Sequence, residues 1–548
     1  MITQSLNIVS SRKYDKTKTN NPKNILLINP PSGFLLDDKV FLPTGLALLA
    51  GANRERGHDI KLMDLASRGD YVEAVVKEVL EKRYDAVGIT ATSPQFYYAY
   101  KILQGLKQNL QTPPVIIGGS HASMFSSLRK NLASKFMLKG FRNSDLENRI
   151  HEEDINFEKL ERFDIIADGE ENSLQLALDS LGKGQKWIDG GVTLNLDDLP
   201  LPARDLFDFK SYLVDPAGTP KFRINEKPSG SLISQRGCPY QCEFCCGRDS
   251  VMYHRVKLPG GILRTRSPEK ILEELDSMHT QFGLESFMFY DDEFNLHPER
   301  TTELCNALKS RNYNFRGFVK GDLLVNHPEV AIVMKKAGFA EVLSGIESGS
   351  DRILGRHLHK RTSPELNYKA AMICLDNQIG FKALTMIGHT SETEEDVLKT
   401  RDWLLNVGRK FNEKLGSGHF TFDLTVFQPY AGCPIWDKSE RNIDGEFADQ
   451  YAWAYYTRDK SGNIIDNNTG GIYFNKVDFS TEHGFYKGVP GQYRAFIRTK
   501  GLSAERLVYL RDSIDAEIRD KLKMPTIISP TPANQYEHSM GQTGSIKS

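Results

Sequence analysis

Two series of short apolar segments, each followed by a turn and an amphipathic stretch, set what this chain can fold into. The first series holds Asn24–Ile28, Ile60–Met63, Ala86–Thr90, Val115–Ile117 and Asp164–Ala167. The second holds Ser231–Ser234, Ser286–Tyr290, Phe315–Lys320, Glu341–Gly345, Phe381–Ile387 and Thr421–Phe427. Parallel neighbours need a crossover of about a dozen residues, usually a helix, and this spacing supplies one each time. The first series therefore predicts an α/β, doubly wound parallel sheet. The second fits six strand–helix units between Ser231 and Phe427. That is short of a closed eightfold barrel of ~250 residues and predicts an open (β/α)6 partial TIM barrel. Helix starts are marked by Ser267-Pro268, by Pro328 after Asn326-His327, and by Ser391 with Glu394 as a capping box.

A chain of 548 residues exceeds one ordinary core, and its 39% hydrophobic and 26% charged content is that of a globular protein. The expected layout is a flexible tail over 1–22, then the sheet domain over 23–185 with a charged insertion at about 131–162. A linker spans 186–228 and the barrel 229–440. A small aromatic-rich α+β cap covers 441–525, with Tyr451, Trp453, Tyr455, Tyr456, Tyr473 and Phe474, and ends in an amphipathic helix from Ser503 to Lys523. Residues 526–548 read as disordered. Net charge is −1, which offers no electrostatic case for nucleic acid. Apolar runs are strand-length, so no membrane span is expected. The polar N-terminus lacks a signal-peptide core, and all seven cysteines follow residue 237 without a disulfide framework. Both point to a reducing cytoplasm.

Cys238, Cys242 and Cys245 share one short stretch directly after the first strand of the second series. Barrels of this kind keep their chemistry at that end of the strands. Three thiols so spaced can ligate three irons of a [4Fe–4S] cluster and leave the fourth iron open to chelate a small molecule. A structural zinc site or free core thiols is the alternative. Structural zinc takes four ligands, commonly in separated pairs, and Cys305, Cys374 and Cys433 stand singly. Cys246 is adjacent and could replace Cys245 as a ligand.

This loop resembles that of the radical S-adenosylmethionine (SAM) superfamily, C-x3-C-x-aromatic-C, with Phe244 in the aromatic place. Tyr290-Asp291-Asp292-Glu293-Phe294 is similar to the D-D-x-F form of a subset of that family, and Gly345-Ile346-Glu347-Ser348 matches its G-I-E-S motif. Gly388-His389-Thr390-Ser391-Glu392-Thr393 resembles its G-x-P-x-E-T turn, with Thr390 in place of proline. Gln428–Pro434 resembles its P-x-P-G-T-P stretch. The resemblance implies that Cys238, Cys242 and Cys245 hold the cluster. It places SAM against Phe244, Asp291, Asp292 and Glu347, with the backbone of the Asp pair meeting the SAM amino group. Lys320 and Asp322 suit either the barrel mouth or a solvated strand end.

The first series resembles the cobalamin-binding domain that precedes this barrel in one subgroup. The matching residues are Asn29-Pro30-Pro31, Leu42-Pro43-Thr44-Gly45-Leu46, Gly57-His58, Gly118-Gly119-Ser120-His121 and Asp168-Gly169-Glu170. Cobalamin contacts are thereby implied for Pro43, Thr44, Thr90, Thr92, Ser93, Gly118, Gly119, His121, Gly169 and Glu170. The D-x-H-x-x-G motif that puts a histidine below cobalt in many such domains does not occur in the sequence. Cobalamin is therefore expected without its own base and without a protein imidazole, with His58 and His121 in supporting roles.

The implied activity is reductive cleavage of SAM at the cluster, with methyl transfer through methylcobalamin to an unactivated carbon, or to phosphorus. The substrate would be a small molecule or natural product, and the electron donor an external flavodoxin- or ferredoxin-type protein. The same architecture can instead perform cyclisation, ring rearrangement or oxidation without methyl transfer. A non-catalytic cobalamin or redox sensor would have no need of all three cysteines together with Glu347. Methylthiotransferases have a similar barrel but require a second cysteine trio in the N-terminal domain, where this chain has no cysteine.

Overall fold

The computed structural model describes residues 11–525 other than 34–36, 110, 140–142, 217, 219, 222, 226, 247–262, 466–469 and 485–490. The N-terminal sheet holds β1 (Asn24–Asn29), β2 (Asp59–Asp64), β3 (Ala86–Thr90), β4 (Val115–Gly118), β5 (Ile165–Asp168) and β6 (Trp187–Asp189). All its pairs are parallel, in the spatial order β2-β1-β3-β4-β5-β6. Strand order reverses direction between β1 and β3, which opens a crevice beyond their carboxyl ends. Both strands are buried almost throughout because helices cover the sheet, among them α1 (Thr44–Glu55), α2 (Tyr71–Glu81) and α3 (Phe96–Lys107).

Three details depart from the sequence reading. Trp187–Asp189 is a sixth sheet strand, not linker; three residues with one buried side chain, Ile188, are too few to show a period. Part of the expected N-terminal tail is structured. Ser11–Arg12 pair in parallel with Val192–Thr193, and buried Tyr14 donates its hydroxyl to Glu55 at 2.8 Å. Its order comes from distant partners, which a polar local sequence does not announce. The charged stretch near 131–162 is largely helical: α4 (Ser120–Leu138), α5 (Asn143–Glu153) and α6 (Ile155–Leu160) form the crossover from β4 to β5. The expectations for residues 1–10 and 526–548 lie outside the described residues.

The second sheet contains β7 (Gly230–Leu232), β8 (Ser286–Phe289), β9 (Asn314–Phe318), β10 (Phe339–Glu347), β11 (Gly380–Ile387) and β12 (Phe420–Val426), parallel and in chain order. Alternation along the strands sends Phe287, Phe289, Phe315 and Phe339 into the main core. Met288, Phe318, Leu343 and Leu384 point to the opposite face and meet Val40 and Phe41, which come from the loop between β1 and α1. The sheet domain thus inserts two side chains into the barrel. The helix Glu394–Leu415 starts two residues later than expected. Thr393 Oγ1 accepts from Asp396 N at 3.4 Å and the Asp396 carboxylate accepts from Thr393 N at 3.1 Å, while Ser391 donates to the Gly470 carbonyl.

The C-terminal region is an antiparallel sheet of β13 (Glu440–Arg441), β14 (Trp453–Tyr455), β15 (Ile472–Phe474) and β16 (Ile497–Thr499), followed by the helix Ala504–Leu522. Ser503 caps that helix, and Leu507, Leu510, Ile514 and Ile518 are buried on the barrel side. Each contributes roughly 1.5–3 kcal/mol as an upper estimate. The region also reaches the sheet domain. Phe479 N donates to Asn156 Oδ1 at 2.9 Å, and His483 stacks on Tyr97 with ring centroids 4.4 Å apart. No described helix is long and apolar enough to cross a membrane.

Candidate active site

A cavity of about 790 Å³ opens where the sheet crevice faces the barrel. Its sheet-side wall includes Asn29, Pro43, Thr90, Thr92, Ser93, Gly118, Gly119, Gly169 and Glu170, and its barrel-side wall Ile233, Gln235, Arg236, Cys246, Tyr290, Asp292 and Tyr430. The switch point is held together by Gln95. Its Nε2 donates to Asn29 Oδ1 at 3.2 Å and to the Pro30 carbonyl at 3.0 Å, while its Oε1 accepts from Thr92 N at 3.1 Å. Gly119 has φ +88° and ψ −178°, a conformation essentially restricted to glycine. A Cβ there would sit 2.7 Å from Thr90 Oγ1 and 2.8 Å from Ala91 N, so the crevice floor is bare backbone.

Thr44 and His121, expected among the cobalamin contacts, do not line this cavity. Thr44 begins α1 and faces a smaller recess between the domains. His121 is fully buried behind the crevice, stacked on Phe96 at 4.1 Å with Nδ1 3.1 Å from Ser93 Oγ. Burial pushes its pKa down to about 3, so the ring is neutral and supports Ser93 from behind. His58 is far from the crevice. Its Nδ1 accepts from Lys23 N at 3.0 Å, and its Nε2 lies 2.8 Å from Gln175 Oε1.

The cysteine loop is anchored at both ends. At its start, Asp291 accepts from Ser234 N at 2.6 Å, Ser234 Oγ at 2.5 Å and Gln235 N at 3.0 Å, and Asp292 accepts from Gly237 N at 3.2 Å. Burial raises the Asp291 pKa to about 6 against these donors. Both carboxylates thus brace the loop, and that of Asp291 is taken up by Ser234 and Gln235. Farther along, Phe244 packs on Ile353, Leu354 and Leu358, in and after the π-helical turn Ile353–His357. Cys242 is buried, Cys238 and Cys245 are partly exposed, and none of the three is in a disulfide. Burial pushes the Cys238 and Cys242 thiols up, the direction that ligation to iron reverses.

Glu347 and Lys360 meet beside this loop, Nζ to Oε1 at 2.6 Å, both nearly buried. Burial alone would lower the Lys360 pKa, but Glu347 outweighs it and keeps the ammonium charged. Glu347, His359 and Arg361 all have positive φ, at 61°, 50° and 55°. Such conformations on non-glycine residues cost about 1–3 kcal/mol each and concentrate at functional sites. Lys360 Nζ lies 5.7 Å from the Phe244 ring, and Lys320 Nζ lies 4.7 Å from the Tyr240 ring and 3.1 Å from Asp322. Two ammonium groups therefore lie against the cysteine loop.

Glu170 lines the cavity but spends its carboxylate on a clamp between the domains. Arg264 donates to it at 2.7 and 2.9 Å, Arg236 lies 3.2 Å away, and Thr193 N donates at 2.7 Å. Neighbouring Glu171 accepts from Arg236 at 2.6 Å. Arg236 and Arg264 face each other on the two strands that flank the cysteine loop, Gln235–Arg236 and Arg264–Thr265. Sequence reading missed both arginines and Lys360. Only the position of Arg236, just before Gly237-Cys238, was a local signal.

A model of the radical SAM superfamily matches residues 232–404, and a model of the B12 binding domain matches residues 39–138. The chain is a radical SAM protein with an N-terminal B12-binding domain. This radical SAM protein is 28% identical over 427 residues to an uncharacterized methyltransferase of Pyrococcus horikoshii, covering 76% of the chain and 83% of the relative. It is 22% identical over 377 residues to an anaerobic magnesium-protoporphyrin IX monomethyl ester cyclase of Rubrivivax gelatinosus, covering 66% and 62%. Among solved structures, the radical SAM methyltransferase TsrM of Kitasatospora setae, with cobalamin and a [4Fe–4S] cluster bound, aligns with a TM-score of 0.57. That alignment covers 96% of each chain at 15% identity and shows a shared fold.

The cofactors of this family pairing are a [4Fe–4S] cluster, SAM and cobalamin. The residues present fit all three. Three cysteines outside any disulfide share one braced loop, a charged Lys–Glu pair flanks it, and the crevice floor is glycine backbone on which a flat macrocycle can lie.

Proposed function

We propose that this protein is a cobalamin-dependent radical SAM methyltransferase acting on an unactivated carbon, or on phosphorus, of a small-molecule substrate. The observation that carries the reading is the single cavity shared by the glycine-floored crevice and the base of the cysteine loop. When bound, the cluster supplies the electron that cleaves SAM, and cobalamin relays a methyl group. The chain itself positions and shields. Cys238, Cys242 and Cys245 hold the cluster, and Phe244, Lys360 and Glu347 hold SAM, the ammonium suiting its carboxylate. Backbone at Asp292 completes that site. Pro43, Thr90, Thr92, Ser93, Gly118, Gly119 and Gly169 seat the corrin. No histidine occurs among the described cavity-lining residues, which supports binding without a protein imidazole below cobalt. Phe41, Tyr290, Ile233 and Tyr430 exclude water from the shared space, and the Glu170–Arg264 clamp fixes the separation of the two sites.

Electrons come from an external flavodoxin- or ferredoxin-type donor, and seven cysteines outside any disulfide suit a reducing cytoplasm. Similarity to a cyclase keeps one second reading, ring closure without methyl transfer. The test is anaerobic incubation of the reconstituted protein with a strong reductant, cell extract and SAM deuterated in its methyl group. The proposal expects the deuterated methyl in a small-molecule product. Substrate consumption without label in any product would refute it.

A further inference from the structure

Glu243, which stands between Cys242 and Phe244, ties the C-terminal sheet to the cysteine loop. Glu243 is 7% exposed, and its carboxylate points away from the loop into a built socket. Tyr455, at the end of β14, donates its hydroxyl to Oε2 at 2.8 Å, and His359 Nδ1 lies 3.2 Å from Oε1. Glu243 N donates to the Leu358 carbonyl at 3.1 Å, and Lys438 Nζ stands 4.0 Å from Oε2. Two residues beyond Tyr455, Thr457 Oγ1 lies 3.1 Å from His357 Nδ1, at the end of the π-helical turn. The same strand end therefore grips both the cysteine loop and the turn on which Phe244 packs. That turn leads directly into His359, Lys360 and Arg361, the strained stretch that delivers Lys360 to Glu347.

We infer that Tyr455, acting through Glu243, is a positioning residue that fixes the cysteine loop and sets the reduction potential of its cluster. The inference rests on the cluster assignment and is independent of methyl transfer. A carboxylate beside a ligand residue, shielded from water, opposes addition of an electron to the cluster, because charge acts over longer range where the effective dielectric is low. The Tyr455 hydroxyl draws charge from that carboxylate and also prevents it from turning toward the loop. The C-terminal region is thus part of the electron-accepting apparatus, and its aromatic content serves more than packing.

The test uses anaerobically reconstituted full-length protein and three variants, Glu243→Gln, Tyr455→Phe and the pair together. Iron content reports cluster assembly, and redox titration followed by electron paramagnetic resonance reports the potential. Iodoacetamide alkylation of the apoprotein reports how firmly the loop is held. Glu243→Gln should keep its iron and raise the potential by about 59 mV, a tenfold change in a one-electron equilibrium. Tyr455→Phe should lower it, and should speed alkylation of Cys238, Cys242 and Cys245 several-fold. In the double variant, loss of Tyr455 should add no shift in potential to that of Glu243→Gln. Unchanged potentials at full iron content, or unchanged alkylation in Tyr455→Phe, would overturn the inference. Wild-type protein that binds no iron would instead overturn the cluster assignment beneath it.

Discussion

Glu170→Gln removes the central charge of the clamp between the sheet domain and the cysteine-loop arm while keeping the shape of the side chain. The Glu170 side chain is 6% exposed at the cavity edge. Burial alone would raise its pKa, but Arg236 and Arg264 outweigh this and hold it below the usual carboxylate range. Removing one partner of a buried pair costs about 3–5 kcal/mol, because the remaining charge is left without compensation. Arg264 still reaches the Thr193 carbonyl at 2.6 Å and Arg236 still has Glu171, so the lower end, about 3 kcal/mol, applies. At 2–4 °C per kcal/mol for a domain of this size, the sheet domain should melt roughly 6–12 °C lower. The pH dependence follows from the depressed pKa. The stabilisation is fully present above about pH 4.3, the ordinary glutamate value, and is lost as pH falls through the lower folded value. Scanning calorimetry of wild type, Glu170→Gln, Arg264→Met and the double variant measures this. The double variant should lose less than the sum of the single ones. Shifts below about 2 °C for both single variants would place the clamp among exposed ion pairs of little consequence and refute the reasoning.

Replacing Cys238, Cys242 and Cys245 together by Ala should abolish the reconstituted cluster, whereas Cys246→Ala should keep it; iron and sulfide analysis decides. Lys360→Ala should leave iron content unchanged and weaken SAM binding about 10–100-fold, the value of a charge-assisted hydrogen bond, as read by equilibrium dialysis. Gly119→Ala puts a methyl group against Thr90 and Ala91 in a conformation costing about 1–3 kcal/mol, and should abolish cobalamin retention on a desalting column while iron content stays normal.

The strands and the cysteine loop were legible because their signals are local. Apolar runs of strand length, three thiols on one stretch and Gly345-Ile346-Glu347-Ser348 can each be read without knowing what lies opposite. What escaped depends on distant partners. Glu170 looks like a crevice residue until Arg264, 94 positions away, takes its carboxylate. Tyr455 and Glu243 are 212 positions apart. Lys360 reaches Glu347 from a stretch in which His359 and Arg361 adopt left-handed conformations, uncommon for residues other than glycine. Asp291 and His121 illustrate the converse. Each sits at a motif position, yet packing turns Asp291 onto Ser234 and buries His121 behind Ser93.

The reading of this chain as a methyltransferase is tested most directly by the ratio of SAM-derived products formed with substrate under strong reductant. One SAM donates its methyl group and a second supplies the hydrogen-abstracting fragment. S-adenosylhomocysteine and 5′-deoxyadenosine should therefore accumulate in about equal amounts, each matching the methylated product. Substrate turnover that yields 5′-deoxyadenosine without S-adenosylhomocysteine would contradict the account and favour ring closure or oxidation.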